Sequence, residues 1–428
     1  MRLLYNILFP LVFLVAAPFY FLKLIRRGNW RPGFAQRFGS YNSLRQKLAF
    51  KKVLWIHAVS VGEANLAIQL IQKLQPELDS WRIVVSTITT TGMEVLNQKL
   101  PNEVERIYFP IDWLPFVKRA FRAMNPAAVV LVEAEIWPNL FWEAKRTNIP
   151  VHLVNTRLSD TSFQGYRRYS FLFRPIFASL KVAGVHHEAD ADRLAQLGCN
   201  REAIEVTGNM KFDGDDTPSA LDARELLGKL GVPDGAPVMV GGSTFEGEEV
   251  LLAQWLPRWR EVCEDLFLVI VPRHFERADR VMEQLRGTGL KVARRTQLDD
   301  APEKPDVLVV DSTGELTAFF AVATVVFMGK SLTSQGGQNP IEPAALGKPV
   351  VFGPFMQNFR QVVEQLLAAK GAVQVKDEGA FGRTVSALLE DDARREKLGA
   401  AGAAVVRANK GASQRTSELI GRSLRALN

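Results

Sequence analysis

Residues 55–70 read WIHAVSVGEANLAIQL. Trp55 to Val59 is a short apolar run suited to a buried strand, Gly62 marks a tight turn, and Leu66, Leu70 and Leu74 recur at helical spacing. This is strand, turn, helix. Within it, Ser60-Val61-Gly62-Glu63 has the form of a capping box, in which the serine takes a backbone N–H at the helix start and the glutamate reaches back to the cap. The same pattern recurs at Ser243-Thr244-Phe245-Glu246 and at Ser312-Thr313-Gly314-Glu315, so spacing alone does not single out Glu63.

Outward from this stretch the alternation continues. Strands are expected at Val53 to His57, Arg82 to Thr87, Arg106 to Phe109, Ala127 to Val132, Val151 to Val154, Val182 to Val185 and Ile204 to Thr207. A second series starts near Pro237, with Val238 to Val240, Phe267 to Val271, Lys291 to Ala293, Val307 to Val310, Val325 to Phe327 and Pro349 to Phe352. Strands alternating with helical patterns predict parallel, doubly wound α/β sheets. Two Rossmann-like domains facing a cleft follow, with ligands expected at strand C-terminal ends near the switch of strand order. The expected division is 1–25, an N-terminal segment; 26–210, the first domain; 211–236, a linker around Asp213-Gly214-Asp215-Asp216-Thr217-Pro218; 237–411, the second domain; and 412–428, a C-terminal helix able to pack on either domain.

The 428 residues carry a net charge of +7, but the first 62 hold ten Lys and Arg and no acid, leaving 43 basic against 46 acidic side chains elsewhere. The basicity therefore belongs to the N-terminal end and not to a nucleic-acid-binding face. Cys199 and Cys263 have no metal-type spacing, which fits a reducing compartment. Leu3 to Leu22 is a stretch of twenty residues without charge, followed by Lys23, Arg26, Arg27, Arg31 and Arg37. Such a run suits a single membrane anchor with the bulk of the protein on the cytoplasmic side. A cleavable signal is disfavoured by Pro18 and the apolar residues after it, while Pro10, Pro18 and Asn6 keep an in-plane interfacial helix as a rival.

The richest stretch for chemistry is Gly336-Gly337-Gln338-Asn339-Pro340-Ile341-Glu342-Pro343. Two glycines allow close backbone approach, and Asn339 and Pro340 open a short helix whose free N–H groups attract an anion. Gly241-Gly242-Ser243-Thr244 is a second glycine-rich turn suited to phosphate, yet neither loop is a Walker or G-x-G-x-x-G motif. Arg273 follows an apolar strand and offers a planar cation at the sheet edge. Glu133 and Glu135 stand at the end of another strand, before a helix opened by Pro138; as helix-start acids or as sugar-binding carboxylates they remain unranked. His186-His187-Glu188-Asp190-Asp192 looks metallic, but adjacent residues on a strand point to opposite faces and acids at a helix start complement its dipole.

The combination resembles the 3-deoxy-D-manno-oct-2-ulosonic acid (Kdo) transferases. The resemblance runs from Arg26-Arg27-Gly28 and Arg37-Phe38-Gly39 through His57 to Glu63, Glu133 to Asn139, Asn155 to Ser159, Gly208 to Asp213, Gly242-Ser243-Thr244 and Pro272-Arg273-His274 to the Gly336–Pro349 stretch. It implies a GT-B fold, CMP-Kdo as donor, a lipid A precursor as acceptor, inversion at the anomeric carbon, and no metal or other cofactor. Under it Glu63 is the general base, and Ser243, Thr244, Arg273, Asn339 and Glu342 surround the nucleotide. It also implies an enzyme at the inner membrane, its catalytic domains on the cytoplasmic face, with Arg26, Arg27, Arg31, Lys51 and Lys52 over anionic head groups. A UDP-sugar transferase and a non-catalytic two-lobed binding protein are the rival readings.

Overall fold

The computed structural model describes residues 2–26, 31–78, 80–214 and 221–427. Arg27 of the expected head-group-facing set, Gly28, and 215–220 of the expected linker lie outside the described residues. The chain divides into two units, residues 1–213 with 411–428, and residues 214–410.

The first unit is built on β1 (Lys52–His57), β2 (Trp81–Thr87), β3 (Glu105–Tyr108), β4 (Ala128–Val132), β5 (Val151–Thr156), β6 (Leu180–Val185) and β7 (Ile204–Val206). Their order is β3-β2-β1-β4-β5-β6-β7, parallel throughout. Helices cover both faces, so the central strands are apolar without alternation; every side chain of β4 is buried. Trp55 packs on one face, and Leu54 and Ile56 on the other. The C-terminal helix Ala412–Arg425 returns to this unit, where Ala412, Ile420 and Leu424 join the core shared with the Val61–Leu74 helix.

The second unit holds β8 (Val238–Thr244), β9 (Phe267–Pro272), β10 (Val292–Arg294), β11 (Val307–Val309), β12 (Val325–Met328), β13 (Val350–Phe352) and β14 (Val373–Gln374). Its order is β10-β11-β9-β8-β12-β13-β14, again parallel. In each sheet the order reverses beside the first strand, between β1 and β4 and between β8 and β12. Both crevices where such sheets take ligands are thus defined.

The stretch 211–236 carries structure of its own. Met210–Phe212 is a 3-10 turn whose Met210 and Phe212 are buried in the first unit, and Ala223–Lys229 is a helix of the second. The expected anchor segment, Leu3 to Leu22, lies within a helix. Arg2–Arg26 does form one helix, with Pro10 and Pro18 inside it, but among the described residues no helix is long and apolar enough to cross a membrane. One side of its first turns is polar and is bonded to the first unit: Arg2 donates to Glu143 (3.2 Å) and Tyr5 to Asp112 (2.9 Å).

Candidate active site

Glu63 lies in the first turn of Val61–Leu74, directly after β1. The expected reciprocal box forms only in part. Glu63 N–H points to Ser60 Oγ at 3.4 Å, but the carboxylate bypasses the cap's own N–H and accepts from Val59 N–H (2.7 Å) and Ser60 Oγ (2.9 Å). The two look-alike motifs diverge. Glu246 is exposed and faces Arg280, and Glu315 forms a two-pronged pair with Arg295, its nearer contact at 2.8 Å. Glu63 instead is 7 % exposed at a helix start whose Val61 is open to solvent. Burial raises its carboxyl pKa, Val59 opposes this, Glu133 adds to it, and Ser60 and Lys211 pull it down.

Across the switch point, Glu133 follows β4 with a left-handed φ of 64°, an uncommon conformation for a side-chain-bearing residue and one that clusters at functional sites. Lys211 Nζ sits 2.9 Å from Glu133 Oε1. Glu135 is pushed up to about 7 by burial, then by repulsion from Glu63 and Glu133. Three carboxylates and one lysine therefore share one field at the ends of β1 and β4. The turn carrying Lys211 is fixed by Asn155, also at positive φ (53°), whose Oδ1 accepts from Met210 N–H (2.8 Å) and meets His186 Nε2 (3.0 Å).

The histidine and acid string is not a metal cluster. His186 is committed to Asn155, Glu188 pairs with Arg201 (2.9 Å), and Asp190 accepts from Leu158 N–H (3.0 Å). His57 stacks on Phe109 (3.9 Å between ring centres) and bonds Ser86 Oγ through Nδ1 (2.9 Å); burial lowers its pKa to about 3, so it is neutral. Its Nε2 is buried without a partner.

In the second unit Ser243 and Thr244 end β8 and are buried, Ser243 at φ 50°. The glycines before them are required by packing: a Cβ on Gly241 would lie 2.5 Å from Leu252, and one on Gly242 2.6 Å from Phe320. Arg273 is exposed after β9, and its N–H is bonded to the Thr244 carbonyl (3.0 Å). Asn339 Oδ1 caps Ile341 N–H (3.1 Å), while its amide donates to Glu342 (3.0 Å). The short helix begins at Ile341, with Pro340 outside it.

Sequence reasoning missed Glu248. It is fully buried and accepts from the N–H groups of Phe245 (2.8 Å), Lys330 (2.7 Å), Ser331 (3.0 Å) and Leu332 (3.1 Å), tying the loop after β8 to the loop after β12. Lys330, at φ 55°, holds its ammonium 5.0 Å from the Phe245 ring centre. An acid in a helix's first turn gives no sequence signal of such a clamp.

Two parallel α/β units, each presenting strained loops and charged side chains at its switch point, give the class of architecture: a two-domain fold that resembles the GT-B glycosyltransferases. Residues 32–214 match the family model for 3-deoxy-D-manno-octulosonic-acid transferase (kdotransferase). A 3-deoxy-D-manno-octulosonic acid transferase of Haemophilus influenzae is 31% identical over 401 residues, covering 93% of both chains. Its namesake from Bordetella pertussis is 30% identical over 420 residues, 94% of this chain and 96% of the relative. An S. aureus MnaA–UDP structure shares the fold, with a TM-score of 0.54 and 14% identity over 87% of this chain and 97% of its own. The chain belongs to the 3-deoxy-D-manno-octulosonic acid transferase family, and it is a glycosyltransferase that transfers Kdo.

Proposed function

We propose that this enzyme transfers Kdo from CMP-Kdo to a lipid A precursor in lipopolysaccharide assembly, inverting the anomeric centre without a metal. The observation that carries the catalytic reading is the state of Glu63: a buried carboxylate of raised pKa, gripped by Val59 and Ser60 at an open helix start. A base must be held in place and must gain from taking a proton, and burial supplies that gain. Glu63 takes the proton of the acceptor hydroxyl as it attacks, and Lys211 keeps the neighbouring acids from overloading the site with negative charge.

Ser243, Thr244, Arg273, Asn339 and Glu342 are assigned to the donor. Arg273 and backbone N–H groups offset the charge of the departing CMP, which carries one phosphate. Glu342, whose Oε1 takes the Asn339 amide, suits ribose hydroxyls better than phosphate. The acceptor is a phosphorylated lipid, and exposed Arg167, Arg168, Tyr169 and Phe171 supply cations beside aromatics on the first unit. The N-terminal helix attaches the enzyme to the cytoplasmic face of the inner membrane, where Arg31, Lys51 and Lys52 meet anionic head groups.

The test is product analysis with the purified full chain, a tetra-acylated bisphosphorylated acceptor, and CMP-Kdo or UDP-sugars as donors. A Kdo-bearing lipid from CMP-Kdo alone, undiminished by excess chelator, is expected. Transfer from a UDP-sugar overturns the donor, and activity restored only by Mg²⁺ or Mn²⁺ overturns the metal-free mechanism.

A further inference from the structure

The N-terminal helix has two unlike faces. On one, Leu3, Ile7, Leu11 and Val15 recur every four residues and are bare, Leu3 and Val15 being 76 % exposed, with Leu8 and Val12 in the neighbouring row at 50 and 67 %. On the other, Arg2, Tyr5 and Asn6 reach into the first unit.

Those contacts form a latch. The side chains of Asn6 and Asn139 exchange reciprocal hydrogen bonds at 2.8 and 3.0 Å, and Asn6 Oδ1 also accepts from Leu114 N–H at 3.1 Å. Tyr5 donates to Asp112, and Asp112 takes the N–H groups of Asn139 (3.1 Å) and Leu140 (3.2 Å), capping the helix that starts just after Glu133 and Glu135. Asn139 and Asp112 are 0 and 1 % exposed, and the Asn139 amide, which also donates to the Asp112 carbonyl at 2.7 Å, takes its remaining side-chain partner from the helix. Tyr5 also packs edge-on against Trp142, ring centres 5.5 Å apart.

The latch fixes the orientation. A spanning helix would carry one end across about 30 Å of hydrocarbon, away from the domain. Here the first turn is bonded to the unit, and the far end at Arg26 is joined by four residues, a reach of roughly 18 Å, to Arg31 of that same unit. Both ends stay on one side. The bare aliphatic stripe and the basic, acid-free end formed by residues 1–62, in which Arg2, Arg37 and Lys47 are already engaged within the unit, together fit the surface of an anionic lipid leaflet.

We infer that residues 2–26 lie in the plane of an anionic bilayer leaflet, latched to the first unit through Asn6, Tyr5, Asn139 and Asp112, so that lipid docking also braces the loop carrying Glu133 and Glu135. This rests on the reading that the acceptor is a membrane lipid.

The test places a nitroxide in turn at Leu3→Cys, Ile7→Cys, Leu11→Cys and Val15→Cys of the full chain, in a Cys263→Ser background because Cys199 is buried. Depth is read in phosphatidylethanolamine–phosphatidylglycerol vesicles, with Kdo transfer to the lipid acceptor measured on the same samples. In-plane docking gives all four labels one depth, about 5–10 Å below the head groups. A depth rising by about 18 Å from residue 3 to residue 15 means a span and overturns the inference. Labels left in water, or broadened by a second copy without lipid contact, overturn it as well. Equal depths without transfer sink the functional reading alone, and transfer with graded depths sinks the inference alone.

Discussion

Lys211 holds its ammonium 2.9 Å from Oε1 of Glu133, and this ion pair separates three carboxylates that spacing leaves equivalent. Glu133 is compensated by a cation. Glu135 is raised to about 7, and Glu63 is raised while bonded to Val59 and Ser60. The general base is assigned to the carboxylate fixed most rigidly, since a proton acceptor must be in register with the attacking hydroxyl.

Glu63→Gln tests that assignment. An amide still accepts from Val59 N–H or Ser60 Oγ, so the helix start survives; loss of a cap would cost only about 1 kcal/mol. Loss of the base should cost roughly 10²–10⁴ in rate. The variant is expected to melt like the parent and bind CMP normally in calorimetry while its single-turnover rate collapses. Near-normal turnover would reduce Glu63 to a helix-starting residue.

Lys211→Met removes the charge that lowers the Glu63 pKa. The base must be ionised to work, so a higher pKa moves the acid limb of the kcat profile toward higher pH. A purely structural role for Lys211 would lower the rate equally at all pH values.

Glu135 gives a stability signature. Its folded pKa of about 7 lies above the ordinary value of 4.5. Between those values the folded protein retains a proton that the unfolded chain releases, so its contribution is present in full below about 4.5 and declines as pH rises to about 7. Glu135→Gln does not titrate. In denaturant unfolding, the variant's stability relative to the parent should therefore increase from pH 4.5 to pH 8; a difference independent of pH would place Glu135 in water.

The alternating strands were legible because strands buried on both faces are written as unbroken apolar runs, as in Ala128–Val132. The strand Val373–Gln374 was not: it is two residues long, partly exposed, and at the sheet edge. Arg273 was visible as a planar cation at a strand end, whereas Glu63 stood apart from Glu246 and Glu315 only through the family resemblance. The Lys211–Glu133 pair was not, because it depends on Asn155 pinning a distant turn. Asn6 was visible, with Pro10 and Pro18, as an interruption of the apolar run, but the contacts of Arg2, Tyr5 and Asn6 with Glu143, Asp112 and Asn139 were not, because those partners lie more than a hundred residues away.

Arg273→Ala should weaken CMP binding roughly 10- to 100-fold, the loss expected when one charge-assisted hydrogen bond disappears. The side chain is exposed and its backbone N–H remains on Thr244, so thermal stability should stay near the parent value. Unchanged CMP affinity in calorimetry would remove Arg273 from the donor site.

Glu248→Ala probes the clamp beneath that site. Burial pushes the Glu248 carboxyl up while its four backbone donors work against burial, which identifies the charged form as the one they hold. Without the carboxylate, four N–H groups from two loops lose their acceptor, and Lys330 loses what holds its left-handed backbone in place. Destabilisation on the order of 3 kcal/mol is expected in denaturant unfolding. Glu248→Gln retains one acceptor oxygen and should recover part of that stability, yet bind CMP more weakly than the parent because the loops after β8 and β12 are no longer drawn together. Parent-like CMP affinity in a folded Glu248→Gln protein would show that the clamp serves stability alone.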